Sequence, residues 1–312
     1  MSLRQLCRRG LAAAALAWSA WLGVVLPSTV QAAEASYVGE AVCIRCHVFE
    51  ARHFGHTLHA RTFRQNPRNE RERQLCEACH GPGSAHVADT ANRELLIGYT
   101  RRWGTPVARQ NAQCLECHQG RQRIFWPGSA HASAEVACSD CHNPMARYSE
   151  SGLLRTAGVS ETCYTCHAQQ RAEFRKRSHM PLPEGKMSCG SCHNPHGSAT
   201  RPLLKTNSVN ELCASCHAEK RGPYLWEHAP VRENCMNCHE SHGSNHEMLL
   251  VAPRPFLCQQ CHTNRTHQNK LVTTVNQANG GDPSTWLIGR SCQTCHAQIH
   301  GSNHPAGVRF LR

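Results

Sequence analysis

Ten copies of Cys-x-x-Cys-His in 312 residues constrain this chain more than any other feature. The cysteine pairs and their histidines are Cys43, Cys46 and His47; Cys76, Cys79 and His80; Cys114, Cys117 and His118; Cys138, Cys141 and His142; and Cys163, Cys166 and His167. They continue as Cys189, Cys192 and His193; Cys213, Cys216 and His217; Cys235, Cys238 and His239; Cys258, Cys261 and His262; and Cys292, Cys295 and His296. Of the 21 cysteines only Cys7 is left over. Disulfides would account for an even count in an exported chain, but not for a histidine after every second cysteine. Zinc also uses Cys-x-x-Cys, yet ten copies with histidine in one fixed place leave it little room. The motif is the attachment signature of c-type haem. On one helical turn both cysteines and the histidine share a face, so two thioethers hold a porphyrin while the histidine reaches its iron. Ten covalent haems c are the expectation.

That cofactor load replaces an ordinary core. Aromatic residues are only 6% of the chain, and mean hydropathy is −0.52. The expected fold is a multihaem cytochrome c: short helices and irregular coil wrapped around a row of ten haems, with little or no sheet and no conventional hydrophobic core. Such a chain folds around its cofactor or not at all. The formal charge of +12 does not indicate a nucleic-acid partner. The first segment removes three arginines, and each ferric haem with its two propionates brings about −1, so the holoprotein is near neutral.

Residues 1–32 read as a cleaved signal peptide. Arg4, Arg8 and Arg9 precede an apolar run from Leu11 to Leu26, and Val30-Gln31-Ala32 fits the small-residue cleavage rule. Residues 33–175 and 176–312 are expected to form N-terminal and C-terminal pentahaem halves. From the fourth motif to the ninth, first cysteines stand 22 to 26 residues apart, and the motifs align in pairs. His131, His179 and His228 stand before the first motif of a pair. After that motif come Asn143-Pro144-Met145, Asn194-Pro195-His196-Gly197 and Glu240-Ser241-His242-Gly243. Arg171, Arg221 and Arg265 follow the second motif of each pair, as propionate partners or as plain surface arginines. Further upstream His53, His56 and His59 cluster, with either His56 or His59 suited to an iron, and Gly81-Pro82-Gly83 delivers His86. Met145 breaks the repeat. It either ligates iron, which raises a haem potential, or packs against a porphyrin.

Residues 33–312 resemble the periplasmic decahaem cytochromes of the MtrA/DmsE type, including the iron-oxidation relatives MtoA and PioA. The resemblance rests on Cys76-Glu77-Ala78-Cys79-His80-Gly81-Pro82, Gly190-Ser191-Cys192-His193-Asn194-Pro195-His196-Gly197-Ser198 and Ala218-Glu219-Lys220-Arg221-Gly222-Pro223. Leu225-Trp226-Glu227-His228-Ala229-Pro230-Val231 and His300-Gly301-Ser302-Asn303-His304-Pro305 add to it. It implies a non-enzymatic electron conduit in the periplasm, associated with the outer membrane inside a porin-like β-barrel partner. Electrons pass between periplasmic or inner-membrane c-type cytochromes and an extracellular multihaem cytochrome or iron mineral, for metal reduction or Fe(II) oxidation. It also implies ten distal iron ligands: His59, His86, His131, His179, His196, His228, His242, His267, His300 and His304. His53, His56 and His246 are then spare. The competing readings are a periplasmic shuttle to a terminal reductase and a multihaem oxidoreductase. The absence of any Cys-x-x-Cys-Lys and the surplus of histidines weigh against an open catalytic iron.

Overall fold

All ten motifs close the same backbone turn. In each, the histidine N–H donates to the carbonyl of the first cysteine, at 2.8–3.1 Å, which puts the three reactive side chains on one face. The computed structural model describes residues 34–262 and 292–311. The expected signal peptide, Arg265 and His267 lie outside them. From Ser36 onward the chain belongs to one unit.

The motifs occur in two settings that alternate along the chain. The odd-numbered motifs are carried on helices. Cys43, Cys114, Cys163, Cys213 and Cys258 lie in the helices Glu40–Cys43, Val107–Leu115, Val159–Tyr164, Val209–Ala214 and Phe256–Gln259. Three of their histidines, His47, His167 and His217, then cap the next helical segment. Even-numbered motifs are single turns followed by loops. Motifs four, six and eight form isolated bridges, His142 with Leu154, His193 with Leu204 and His239 with Leu250. Before each bridging leucine stands another, Leu153, Leu203 or Leu249, at φ of 48°, 58° and 57°. A left-handed leucine costs about 1–2 kcal/mol, so surrounding contacts must hold it. The leucine carbonyls accept from Asn143, Asn194 and Glu240, the residues after the motif histidines.

Little else is regular. Among the described residues the one sheet pairs Ser178–His179 antiparallel with Gly243–Ser244, Ser178 opposite Ser244 and His179 opposite Gly243. Among the described residues the buried apolar ones are few, and nearly half are alanine: four alanines, Phe54, Phe174, Ile97, Leu204 and Leu250. The short-helix, coil-rich architecture expected of a multihaem cytochrome c is therefore the one observed.

Polar clamps do the work that a core does elsewhere. Asn111 accepts from the Cys138 backbone at 2.8 Å while its amide donates to the Val136 carbonyl. Asn210 does the same for Cys235. Each asparagine thereby fixes an odd motif to the even one that follows. Near the N-terminus the Glu77 carboxylate, only 4% exposed, accepts from Val38, Gly39 and Gly83 backbone amides at 2.7–3.2 Å. Ser36 and Ser84 exchange hydrogen bonds beside it. This places the short helix Ser84–Ala88, which carries His86, over the first motif. Removing a buried charged acceptor leaves its donors unpaired. Glu77→Ala is expected to cost about 2–3 kcal/mol in denaturant unfolding and to release His86, seen as a high-spin signal from one haem. An unchanged midpoint and spectrum would show the clamp to be dispensable.

Candidate haem centres

Seven of the ten motif histidines face a second imidazole that comes from another part of the chain. The pairs are His47 with His86, His118 with His59, and His142 with His196. His167 pairs with His131, His193 with His242, His239 with His300, and His262 with His228. Ring centroids stand 5.9–6.4 Å apart in all seven. Two rings in van der Waals stacking would approach more closely. A metal–imidazole bond of about 2 Å, with each ring centre ~1.1 Å beyond its nitrogen, sets two trans ligands roughly 6 Å apart. The gap between the rings is the width of one iron.

The surroundings suit neutral, iron-binding imidazoles. Burial pushes His59, His80, His118, His193, His228 and His300 below the usual histidine value. Burial first, then the neighbouring His142, Arg123 and His131, take His196 down to about 4. The Nδ1 atoms of His59, His86 and His196 are buried with no hydrogen-bond partner in the protein, although most buried polar atoms have one. All three belong to rings that face a motif histidine. No cluster of three or more His, Cys, Asp or Glu side chains among the described residues could hold a metal alone, so a zinc reading of these cysteines has no donor set. Paired imidazoles with two cysteines beside one of them fit a covalently attached haem.

The other histidines are placed differently. Among the described residues, the aromatic ring beside His80 is Tyr99, at 5.3 Å, and no imidazole faces it. His179 Nδ1 donates to the Lys176 carbonyl at 2.7 Å, and its Nε2 lies 3.1 Å from the Glu184 carboxylate, which accepts from it. The Lys176 carbonyl, and then Glu184, raise its pKa. His304 accepts from the Ala306 amide and lies against Trp226 through its carbonyl. His53 packs edge-on against Phe49, and His56 lines a groove of about 360 Å³ with Arg61, Arg147 and residues 149–153. Arg171 is exposed, with its guanidinium over the Tyr164 ring.

Consecutive motifs influence one another electrostatically from the first to the tenth. The thiols of the first cysteines interact in pairs: Cys43 with Cys76, Cys114 with Cys138, Cys163 with Cys189, Cys213 with Cys235, and Cys258 with Cys292. Across the intervening junctions the second cysteines feel one another's charge: Cys79 and Cys117, Cys141 and Cys166, Cys192 and Cys216, and Cys238 and Cys261. With the clamps at Asn111 and Asn210, this sets the attachment sites in sequence order.

Sequence reasoning missed the carbonyls behind the motif histidines. Nδ1 of His80, His142, His193, His239 and His296 donates to the carbonyls of Ile97, Gly152, Pro202, Met248 and Arg309, at 2.6–2.9 Å. In four of these the next residue is left-handed: Leu153, Leu203, Leu249 or Phe310. Such bonds fix the ring and raise its basicity as a ligand. The recurrent Leu-Leu at 153–154, 203–204 and 249–250, beginning 10 or 11 residues after the motif histidine, was the available signal.

Fold and site together define a multihaem c-type cytochrome. A doubled CXXCH motif family matches residues 131–172, 179–222 and 228–267, and a cytochrome c-type NrfB-like family matches residues 76–151. The chain is 40% identical over 239 residues to the multiheme cytochrome MtrA of Shewanella baltica (strain OS185), an alignment spanning 76% of this chain and 70% of that one. It belongs to the MtrA family of multihaem cytochromes. It binds haem c covalently and transfers electrons.

Ring orientation makes a testable distinction. The pairs at His47, His142, His262 and His239 lie within 11–29° of parallel. Those at His118 and His167 are at 86° and 67°. Parallel imidazoles donate into one iron d orbital and split the pair. Perpendicular ones leave it near-degenerate, which gives large g anisotropy. Ferric holoprotein is expected to show both kinds of low-spin EPR signal. His59→Ala and His131→Ala should each remove large-g intensity, whereas His196→Ala and His300→Ala should remove rhombic intensity.

Proposed function

We propose that this cytochrome carries ten haems and conducts electrons across the outer membrane, from periplasmic c-type cytochromes to the exterior or back, inside a β-barrel partner. The observation that carries the reading is the unbroken neighbour relation of all ten motifs. A carrier that only shuttled would need an entry and an exit, not a continuous series of attachment sites. Seven irons would have both axial positions filled by imidazole, so they could change charge with little ligand rearrangement and would offer no place to a substrate.

Haem when bound supplies the redox couple. The chain's residues would do the rest: the cysteines would fix each porphyrin, and the motif histidines together with His59, His86, His131, His196, His228, His242 and His300 would hold the irons. His179 belongs to the seventh motif by register. His59, His131 and His228 each stand ahead of a motif pair and face its second histidine, and His179 stands ahead of the pair at Cys189 and Cys213. His267 or His304 is left for the tenth. Among the described residues no helix is long and apolar enough to cross a membrane, so crossing would rest on the barrel.

The decisive experiment is reconstitution. The cytochrome should co-purify with an outer-membrane barrel when both are expressed. The pair in liposomes should reduce an enclosed acceptor from an external donor, while barrel alone and cytochrome alone should not. Equal rates without the barrel would end the conduit reading and leave a shuttle.

A further inference from the structure

We propose that Met145 supplies the sixth ligand to the haem of the second motif, opposite His80. The inference rests on the ten-haem reading and departs from the all-histidine ligand set that the family resemblance implies.

Met145 occupies the same place in its loop as His196 does in the next. Asn143 Oδ1 accepts from the Met145 amide at 3.0 Å, and Asn194 Oδ1 accepts from the His196 amide at 3.2 Å. Both loops follow a motif histidine bridged to a leucine, His142 to Leu154 and His193 to Leu204. His242 follows His239, bridged to Leu250, in the same way. Position by position, Met145, His196 and His242 are one residue of one repeated loop.

The second step is register. The histidine of this loop never faces its own motif. His196 follows motif six and faces His142 of motif four. His242 follows motif eight and faces His193 of motif six. His300 follows motif ten and faces His239 of motif eight. Each reaches back two motifs. Met145 follows motif four, so the same register assigns it to motif two and His80.

Loop seating repeats with that register. The loop at 194–197 seats on 122–125: the Asn194 amide donates to the Gln122 carbonyl, and a Cβ on Gly197 would strike Phe125. Gly243 seats against Glu173 and pairs with His179. Gly301 and Ser302 seat on Tyr224 and Trp226. Each seat lies just ahead of an upstream distal histidine: His131, His179 or His228. The fourth member of the series is the chain just ahead of His59, and the Met145 loop meets it there. Arg147 and residues 149–153, the remainder of the loop that carries Met145, line one groove with Gly55, His56, Thr57 and Leu58. The glycine that follows the ligand in the other three loops is Ala146 here, itself buried. Two positions of this loop thus depart from the repeat together.

The third observation is the vacancy in the histidine pairing. His80 is held as the other even motif histidines are, by Nδ1 to a carbonyl, that of Ile97 at 2.8 Å. Yet no described imidazole faces it, and its ring neighbour Tyr99 has its hydroxyl committed to the Cys79 carbonyl. A thioether is a good axial ligand for haem and raises the reduction potential relative to a second imidazole. One of His267 and His304 then has no iron to serve.

The test is magnetic circular dichroism of ferric holoprotein with the haem count fixed by mass spectrometry. Wild type should show the far-red charge-transfer band of a His/Met haem at one-tenth of the total iron. Met145→His should abolish the band, keep every haem low-spin and shift one couple of the film voltammogram to lower potential. Met145→Ala should abolish it and add one high-spin haem. Ten bound haems without the band in wild type would overturn the assignment, as would a band that survives in either variant. Fewer than ten haems in wild type would instead strike the conduit reading, so the two failures are distinguishable.

Discussion

An iron held between two imidazoles is a cross-link, and the chain depends on that link more than on any packing of its own side chains. The histidines of each facing pair are far apart in sequence: His47 and His86, His59 and His118, His142 and His196, His239 and His300. What lies between them is mostly loop, with helices of no more than nine residues among the described elements. Isolated helices of that length are unstable in water, and nine buried apolar residues, four of them alanine, cannot offset the entropy of ordering such a chain. The porphyrins must provide the apolar surface, and iron coordination must close the loops. The clamps at Glu77, Asn111 and Asn210 become intelligible in that setting. They aim attachment sites at one another and add rigidity where no core reaches.

The two settings of motif take their partners from different places. The helix-borne motifs at His118, His167 and His262 are faced by His59, His131 and His228 from upstream chain, whereas the loop-borne motifs at His142, His193 and His239 are faced by histidines of later loops. The loop that follows an even motif can travel back to meet an earlier iron, because it carries no helix of its own. Hence the loops at 194–197, 243–244 and 301–302 seat on upstream chain, and each binds its segment to one placed two motifs before. Such interleaving joins every unit to more than its immediate neighbour. A simple repeat protein is tied only to the next repeat along.

The sequence made the attachment sites legible because covalent chemistry demands fixed residues at fixed spacing. The ten Cys-x-x-Cys-His units are visible as such, and the doubled period followed from aligning Asn194-Pro195-His196 with Asn143-Pro144-Met145. The coil-rich fold was legible too, since a chain so poor in aromatics and so rich in cysteine has no other core. What stayed hidden was partnership. Nothing in the string says that His196 faces His142 rather than His193, because the pairing is set by how far a loop folds back. The left-handed leucines were equally opaque. A Leu-Leu dipeptide reads as apolar filler, whereas here its backbone bends so that the preceding carbonyl meets Nδ1 of the motif histidine. Glu77 lay in plain view inside a motif, but its three backbone donors come from chain on both sides of it.

Those Nδ1 bonds bear on how evenly the irons are poised. At motifs four, six and eight the motif histidine donates to a backbone carbonyl. At motifs five and nine it is the facing histidine that does so, His131 to Pro195 and His228 to Ile299. Each of these irons therefore has one imidazole made more basic by a carbonyl, and the side alternates. A basic ligand favours ferric iron, so equal provision would hold haems bound at these motifs close in potential, as hopping in either direction requires. The distal rings at His86, His59 and His196, which face motifs one, three and four, have buried Nδ1 atoms without a hydrogen-bond partner in the protein. At motif four the carbonyl bond lies on His142 instead, so a haem there would keep one supported imidazole. At motifs one and three a bound haem would draw any such support from the motif histidine alone, which is where the N-terminal end departs from the rest.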